Sequence, residues 1–265
     1  MSGLPRIKLL QAEVDGKDES FFRLLINGHT VKYVTIEAGL YPVEDMCFGP
    51  SLVSLMPALP PGDWNDGLIA KDPKTGEPYF ARATETQYPG VKHQWHKTYV
   101  DYQDIVVGQR VHTGIYEVTC QQFDTPVIAK FARFEWEIQY MENETTAYEW
   151  IDGHAIGPRF LGHLTEHGRV IGFLVERITD ARHADASDLT ICQQTLGRLH
   201  QLGFRHGDTN RFNFLVRGSD AVLIDFDTAR KCDDKDALRD ELEGLSECLK
   251  DESMRGGGGY LPLSG

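Results

Sequence analysis

Two neighbouring stretches hold residue types that could do chemistry together. His206-Gly207-Asp208-Thr209-Asn210-Arg211-Phe212-Asn213-Phe214-Leu215 is followed by Val222-Leu223-Ile224-Asp225-Phe226-Asp227. Asp208, Asn213, Asp225 and Asp227 stand beside apolar runs, where an uncompensated charge would lose hydration for nothing. Phosphoryl transfer uses such a set. It needs a carboxylate to orient the acceptor hydroxyl, and hard oxygen ligands for Mg²⁺ to neutralise charge between phosphates. An acidic solvated loop could hold the same residue types. It has no need for an Asp, four residues and an Asn, followed by a second Asp closing an apolar strand.

At these positions the chain resembles the protein-kinase-like superfamily. The likeness is to its atypical branch, the aminoglycoside and choline kinases and the small kinases of the Bud/RIO type, where His-Gly-Asp often stands for His-Arg-Asp. The resemblance implies ATP and Mg²⁺ as cofactors. It implies Asp208 as the base or hydroxyl-orienting group, Asn213 and Asp225 as Mg²⁺ ligands, Asp227 as a further ligand, and His206 as a structural tie to the Phe226 region. Upstream, Val127-Ile128-Ala129-Lys130 looks like the kinase strand whose Lys holds the α- and β-phosphates. A strand-terminal Lys taken alone reads equally as a solvated one. Its carboxylate partner belongs on the inner face of the next helix. Glu144 shares the face of Tyr140, Ala147, Tyr148 and Ile151, with Glu142 the second choice. Val170 to Ile178 looks like a strand entering a hinge, with Glu176 and Ile178 offering backbone groups to an adenine. Gly114 would face the nucleotide from the preceding hairpin.

Three features depart from that pattern. The stretch 107–116 has only Gly108 and Gly114 where kinases carry three close glycines, which weakens a backbone phosphate cradle. Gly207 replaces the Arg that pairs with a phosphorylated activation loop. Only 38 residues follow Asp227, without Ala-Pro-Glu. The last two favour a small-molecule substrate, or a specialised partner, over general phosphorylation of docked proteins.

Stepping outward, these residues need strands to present them. Phe21–Ile26 and Thr30–Ile36 read as a hairpin around Asn27-Gly28, the favoured type I′ pair. The Pro-rich stretch 42–90 reads as short strands and packed loops. Strands follow at Ile105–Val107, Gly114–Thr119 and Pro126–Phe131, then a helix over 134–151 and a strand at Ile171–Val175. A helix over 187–202, the strands Phe214–Val216 and Ala221–Ile224, and a helix over 235–250 complete the series. The glycine run 256–259 reads as a flexible tail. Strands and helices run in blocks rather than in βαβ alternation, so the class is α+β. The expected organisation is a β-rich extension over 1–100, a kinase-like N-lobe over 101–178 and a short, truncated C-lobe over 179–265, a bilobal arrangement.

Composition limits the alternatives. The net charge of −13 disfavours tRNA and other phosphate backbones and favours a cationic substrate. There is no secretory signal pattern and no apolar run of membrane-spanning length, and five dispersed cysteines suit a reducing compartment, so a cytoplasmic location is expected. His93-Gln94-Trp95-His96 could be a metal pair but reads better as a packed loop, and Trp64 and Trp95 as core. Two other readings stay open. One is a kinase-like fold turned to other chemistry, such as a tRNA-linked role or aminoacyl transfer in the manner of fungal arginine-containing cyclodipeptide synthases. The other is a non-catalytic scaffold.

Overall fold

The computed structural model describes residues 5–253 and Gly256, so positions 257–259 of the expected flexible tail lie outside the described residues. The chain divides into two compact units, 1–88 and 89–265.

The first unit holds β1 (Ile7–Glu13), β2 (Ser20–Ile26), β3 (Thr30–Ile36), α1 (Val43–Cys47), α2 (Gly49–Leu55), β4 (Asp66–Lys71) and β5 (Pro78–Thr84). They form one five-stranded sheet in the order β1-β2-β3-β4-β5. Phe22, Leu24, Ile36, Leu52 and Ile69 are fully buried in its core. Asn27 and Gly28 both take positive φ, as a type I′ pair must, although the ladder closes at Ile26↔Thr30 with His29 also in the loop. The expectation of strands and loops alone over 42–90 needs correction, because α1 and α2 form there. Pro50 sits in the first turn of α2, where no intrahelical N–H is required, so it starts the helix rather than breaking it. β3 and β4 are parallel, and the crossover between them carries these two helices.

The second unit holds β6 (Tyr99–Asp101), β7 (Ile105–His112), β8 (Ile115–Cys120), β9 (Val127–Phe131), α3 (Ile138–Ile151), β10 (Phe160–Glu166) and β11 (Arg169–Val175). After these come β12 (Arg182–His183), α4 (Leu189–Gln201), β13 (Phe204–Arg205), β14 (Phe214–Arg217), β15 (Asp220–Leu223), β16 (Arg230–Lys231) and α5 (Lys235–Lys250). A six-stranded sheet, β6-β10-β11-β9-β8-β7, with α3 makes one lobe. The small sheets β12-β14-β15 and β13-β16, with α4 and α5, make the other. The fold is α+β, with the bilobal division of a kinase-like arrangement. β10 was not anticipated, since Gly162 and His163 interrupt its apolar pattern. Residues 89–100 pack with this unit: Val91 is buried in its core and donates its N–H to Val170 O at 2.8 Å.

Pairing register decides what faces the site. Residues directly opposite across a ladder share a face. His112↔Ile115, Ile115↔Lys130 and Lys130↔Phe173 make one such row across β7, β8, β9 and β11. Glu117↔Ile128↔Val175 makes a second. Every residue of both rows lines a single cavity. Gly172 lies where a Cβ would collide with Lys130 O, so only glycine lets β11 pass β9 this closely. Among the described residues, no helix is long and apolar enough to cross a membrane.

Candidate active site

Lys130 ends the inner row of β9 and pairs with two carboxylates. Its Nζ is 2.5 Å from Glu144 Oε2, and it also donates to Asp225 Oδ1. Glu144 is on the buried face of α3 with Met141, Thr145, Tyr148 and Ile151. Tyr140, counted on that face from the sequence, is exposed. Glu142 points elsewhere and accepts the backbone N–H groups of Lys92 and His93, with its Oε2 2.6 Å from Lys92 N. Phe226 N–H donates to Glu144 Oε1 at 3.3 Å, tying the strap after β15 to α3. Tyr148 anchors this junction, its ring 5.4 Å from Phe226 and 5.2 Å from Phe173. Asp225 itself takes φ +65°, a left-handed conformation uncommon for a side-chain-bearing residue.

The electrostatics follow from burial. Burial alone would lower Lys130, but Glu144 and Asp225 on either side raise it, so it stays an ammonium. Burial would raise Asp225, yet Lys130 holds it below the usual carboxylate range. Glu144 is raised to about 7, by burial first and by the charges of Asp225 and Asp227, against the pull of Lys130. Asp227 is raised by burial and by Asp225. Lys130 and Asp225 therefore form the settled ion pair, and Glu144 is the carboxyl pushed toward its protonated form by burial and by the negative charges around it.

The loop carrying Asp208 is held by Glu241 of α5. Glu241 accepts from Gly207 N (2.7 Å), His206 N (3.1 Å), His200 Nε2 (2.8 Å) and Arg205 Nε (3.3 Å). These donors keep its carboxyl low despite burial. His206 is fully buried. Its Nδ1 accepts from Asp208 N, which places the ring proton on Nε2, donating to Ile224 O at 3.1 Å. Thr228 Oγ1 donates to His206 O at 2.9 Å. Gly207 has φ +90°, and a Cβ there would press on Thr228 at 3.0–3.2 Å. The left-handed φ and that crowding together favour glycine at this position. Asn210 and Asn213 both donate side-chain N–H to Asp208 Oδ2, at 2.9 and 3.1 Å. Asn213 donates its amide nitrogen to Asp208 O as well (2.8 Å).

The cavity of about 610 Å³ is lined by Lys130, Glu144, Asn213, Asp225, Glu176 and Ile178. Its apolar part comes from residues such as Val111, Ile128, Val175 and Leu215. Gly114, Asp208 and Asp227 are not among its lining residues. Gly114 lies instead in the tight turn between β7 and β8, at φ +72°, with its carbonyl accepting from Phe131 N at 3.0 Å. Glu176 N–H is spent on Arg159 O at 2.9 Å. Arg177 and Glu117 form an ion pair (2.8 Å) between the hinge and β8.

The other residues singled out from the sequence pack structurally. Trp95 donates Nε1–H to Thr145 O at 3.0 Å, and Trp64 donates to Pro60 O at 2.8 Å with its ring 5% exposed. His93 pairs with Glu149 at 2.8 Å, while His96 Nδ1 accepts from Thr98 N. Among the described residues, no group of three or more His, Cys, Asp or Glu is placed to hold a metal unaided. Sequence reasoning missed Glu241, although a signal existed: an acid at 241 on the stripe of Leu245 and Leu249 is out of place on a buried helix face. It also missed His112, which lines the cavity.

No protein-family model matches the chain. Over 81 residues, 29% of this chain, it is 32% identical to a probable bifunctional tRNA threonylcarbamoyladenosine biosynthesis protein of Methanothermobacter thermautotrophicus. The match spans 15% of that protein's length.

Proposed function

We propose that this chain is an ATP- and Mg²⁺-dependent phosphotransferase acting on a small, hydroxylated, cationic molecule. The observation that carries this reading is Lys130 set between Glu144 and Asp225 at the polar end of a largely apolar cavity. The cavity volume of about 610 Å³ lies within the range of roughly 300–1,000 Å³ usual for small-molecule sites. Its apolar rows suit an adenine, with the Glu176 carbonyl and the Ile178 backbone at the hinge. Lys130 takes the phosphates. Asp208 Oδ1 orients the acceptor hydroxyl and receives its proton, while Asn210 and Asn213 fix the carboxylate through Oδ2.

The donor set fits Mg²⁺. Asp225, Asp227 and the Asn213 oxygen are hard oxygen ligands, and Mg²⁺ is commonly held by one or two carboxylates together with substrate phosphates, so no all-protein cage is needed. When bound, Mg²⁺ supplies charge neutralisation between the phosphates. Net charge −13 favours a cationic acceptor. Calorimetry with Mg-ATP and assay of ADP release test the reading: binding with Asp208-dependent turnover supports it, and no binding at millimolar nucleotide refutes it.

The partial likeness to a tRNA modification protein favours a second reading, a tRNA-linked role for the same ATP-using site. Stimulation of ADP release by tRNA, and not by small cationic alcohols, would select it.

A further inference from the structure

The hairpin β7–β8 has too few glycines to cradle phosphates with its backbone. Its turn is the two-residue Thr113-Gly114, and Gly114 O is already engaged by Phe131 N at 3.0 Å. Arg110 braces the turn, with Nη2 2.7 Å from Thr113 Oγ1 and Nε 3.3 Å from His112 O. These bonds fix the backbone on either side of the turn. His112 stands at the inner end of this hairpin, in the row with Ile115 and Lys130, and is among the residues that line the cavity. Its Nε2 is out of contact with solvent and has no hydrogen-bond partner among the described residues. A buried ring nitrogen left unmatched on a cavity wall is the kind of exception that calls for a ligand. The His112↔Ile115↔Lys130 row puts it at the same end of the cavity as Lys130.

We propose that His112 Nε2–H donates a hydrogen bond to the phosphate chain of the bound nucleotide, a side-chain contact standing in for the glycine-rich backbone cradle. This rests on the phosphotransferase reading above and adds a binding residue that the His-Gly-Asp likeness does not supply. The contact is made by a side chain on a braced strand, so the hairpin has no need to flex onto the phosphates as a glycine loop does. Specificity follows as well: adenosine, which carries no phosphate, gains nothing from His112.

The test is a ligand series with wild type, His112→Ala and His112→Gln, the last keeping an N–H donor. Calorimetry with adenosine, ADP and a non-hydrolysable ATP analogue, each with Mg²⁺, reads the contact directly. His112→Ala is expected to bind the ATP analogue on the order of 10- to 100-fold more weakly, as for a lost hydrogen bond to a charged group. Adenosine affinity should stay unchanged, and His112→Gln should recover most of the loss. Equal loss for adenosine and the ATP analogue would assign His112 a packing role and overturn the proposal, as would no loss for either. Failure of wild type to bind any of the three ligands would instead refute the phosphotransferase reading, and this contact with it.

Discussion

The cavity has two walls built on opposite principles. The wall from His206 to Thr228 is tied by many bonds: Glu241 gathers four donors, His206 spends both ring nitrogens, and Thr228 clasps His206 O. The wall from β7 and β8 is an edge hairpin, and most of β7 faces solvent. The first wall places Asp208 by a buried polar network, where each group depends on the others. The second contributes single side chains projecting from a ladder. A reaction needs fixed geometry at the transferring atoms, while phosphate binding tolerates donors of several kinds. On the proposed reading, the two walls divide along that line.

The comparison breaks most directly at Asp208. Asp208→Asn should lower turnover by about 10²- to 10⁴-fold while leaving nucleotide affinity unchanged, since a positioned acid–base group contributes about that much. Steady-state assay paired with calorimetry reads both, and a matched loss of affinity would move Asp208 to the binding wall. Next, Glu241→Ala should cost about 3–5 kcal/mol in urea denaturation, because buried donors lose a charged partner. A cost within experimental error would mean the loop does not depend on this network.

Glu144 links the two walls and gives a pH signature. Its folded value is raised from 4.5 to about 7, above its unfolded one. Its contribution to stability is therefore present below the unfolded value and lost as pH rises through about 7. Wild type should lose up to about 1.4 kcal/mol per pH unit relative to Glu144→Gln between those limits. Turnover should rise as pH passes through about 7, where Glu144 ionises and the Lys130–Glu144 pair becomes fully charged. Parallel pH profiles for the two proteins would remove Glu144 as the titrating group. The smallest effect is expected at Val106, 69% exposed on β7, where Val106→Thr should change stability by no more than about 0.5 kcal/mol. A larger loss would show that the hairpin is held more tightly than its exposure implies.

Much of the tied wall could be read from the chain itself. Asp208, Asn213 and Asp225 stand at short spacings on loops beside apolar strands, and local sequence sets such spacings. The kinase-like resemblance implied a carboxylate partner for Lys130, and helix periodicity chose Glu144 over Glu142, even though Tyr140 proved not to share the buried face. The helices α1 and α2 were hidden because prolines read as breakers when they lie in a first turn. Glu241 was hidden for another reason: its donors come from His200 and 205–207, and nothing in the local spacing says that α5 folds back on them.

The sequence by itself determined the residue types of the candidate site, the α+β class and the order of the strands that present it. These depend on periodicity and short spacings, which act within a turn or a strand. Only the tertiary structure decided which side chains meet. Strand register put His112, Ile115, Lys130 and Phe173 in one row facing the cavity. Packing against Thr228 required glycine at 207, and the return of α5 set a buried carboxylate beneath the Asp208 loop. Register and long-range packing join residues up to 95 positions apart, as Lys130 and Asp225 are, and no local pattern carries that information.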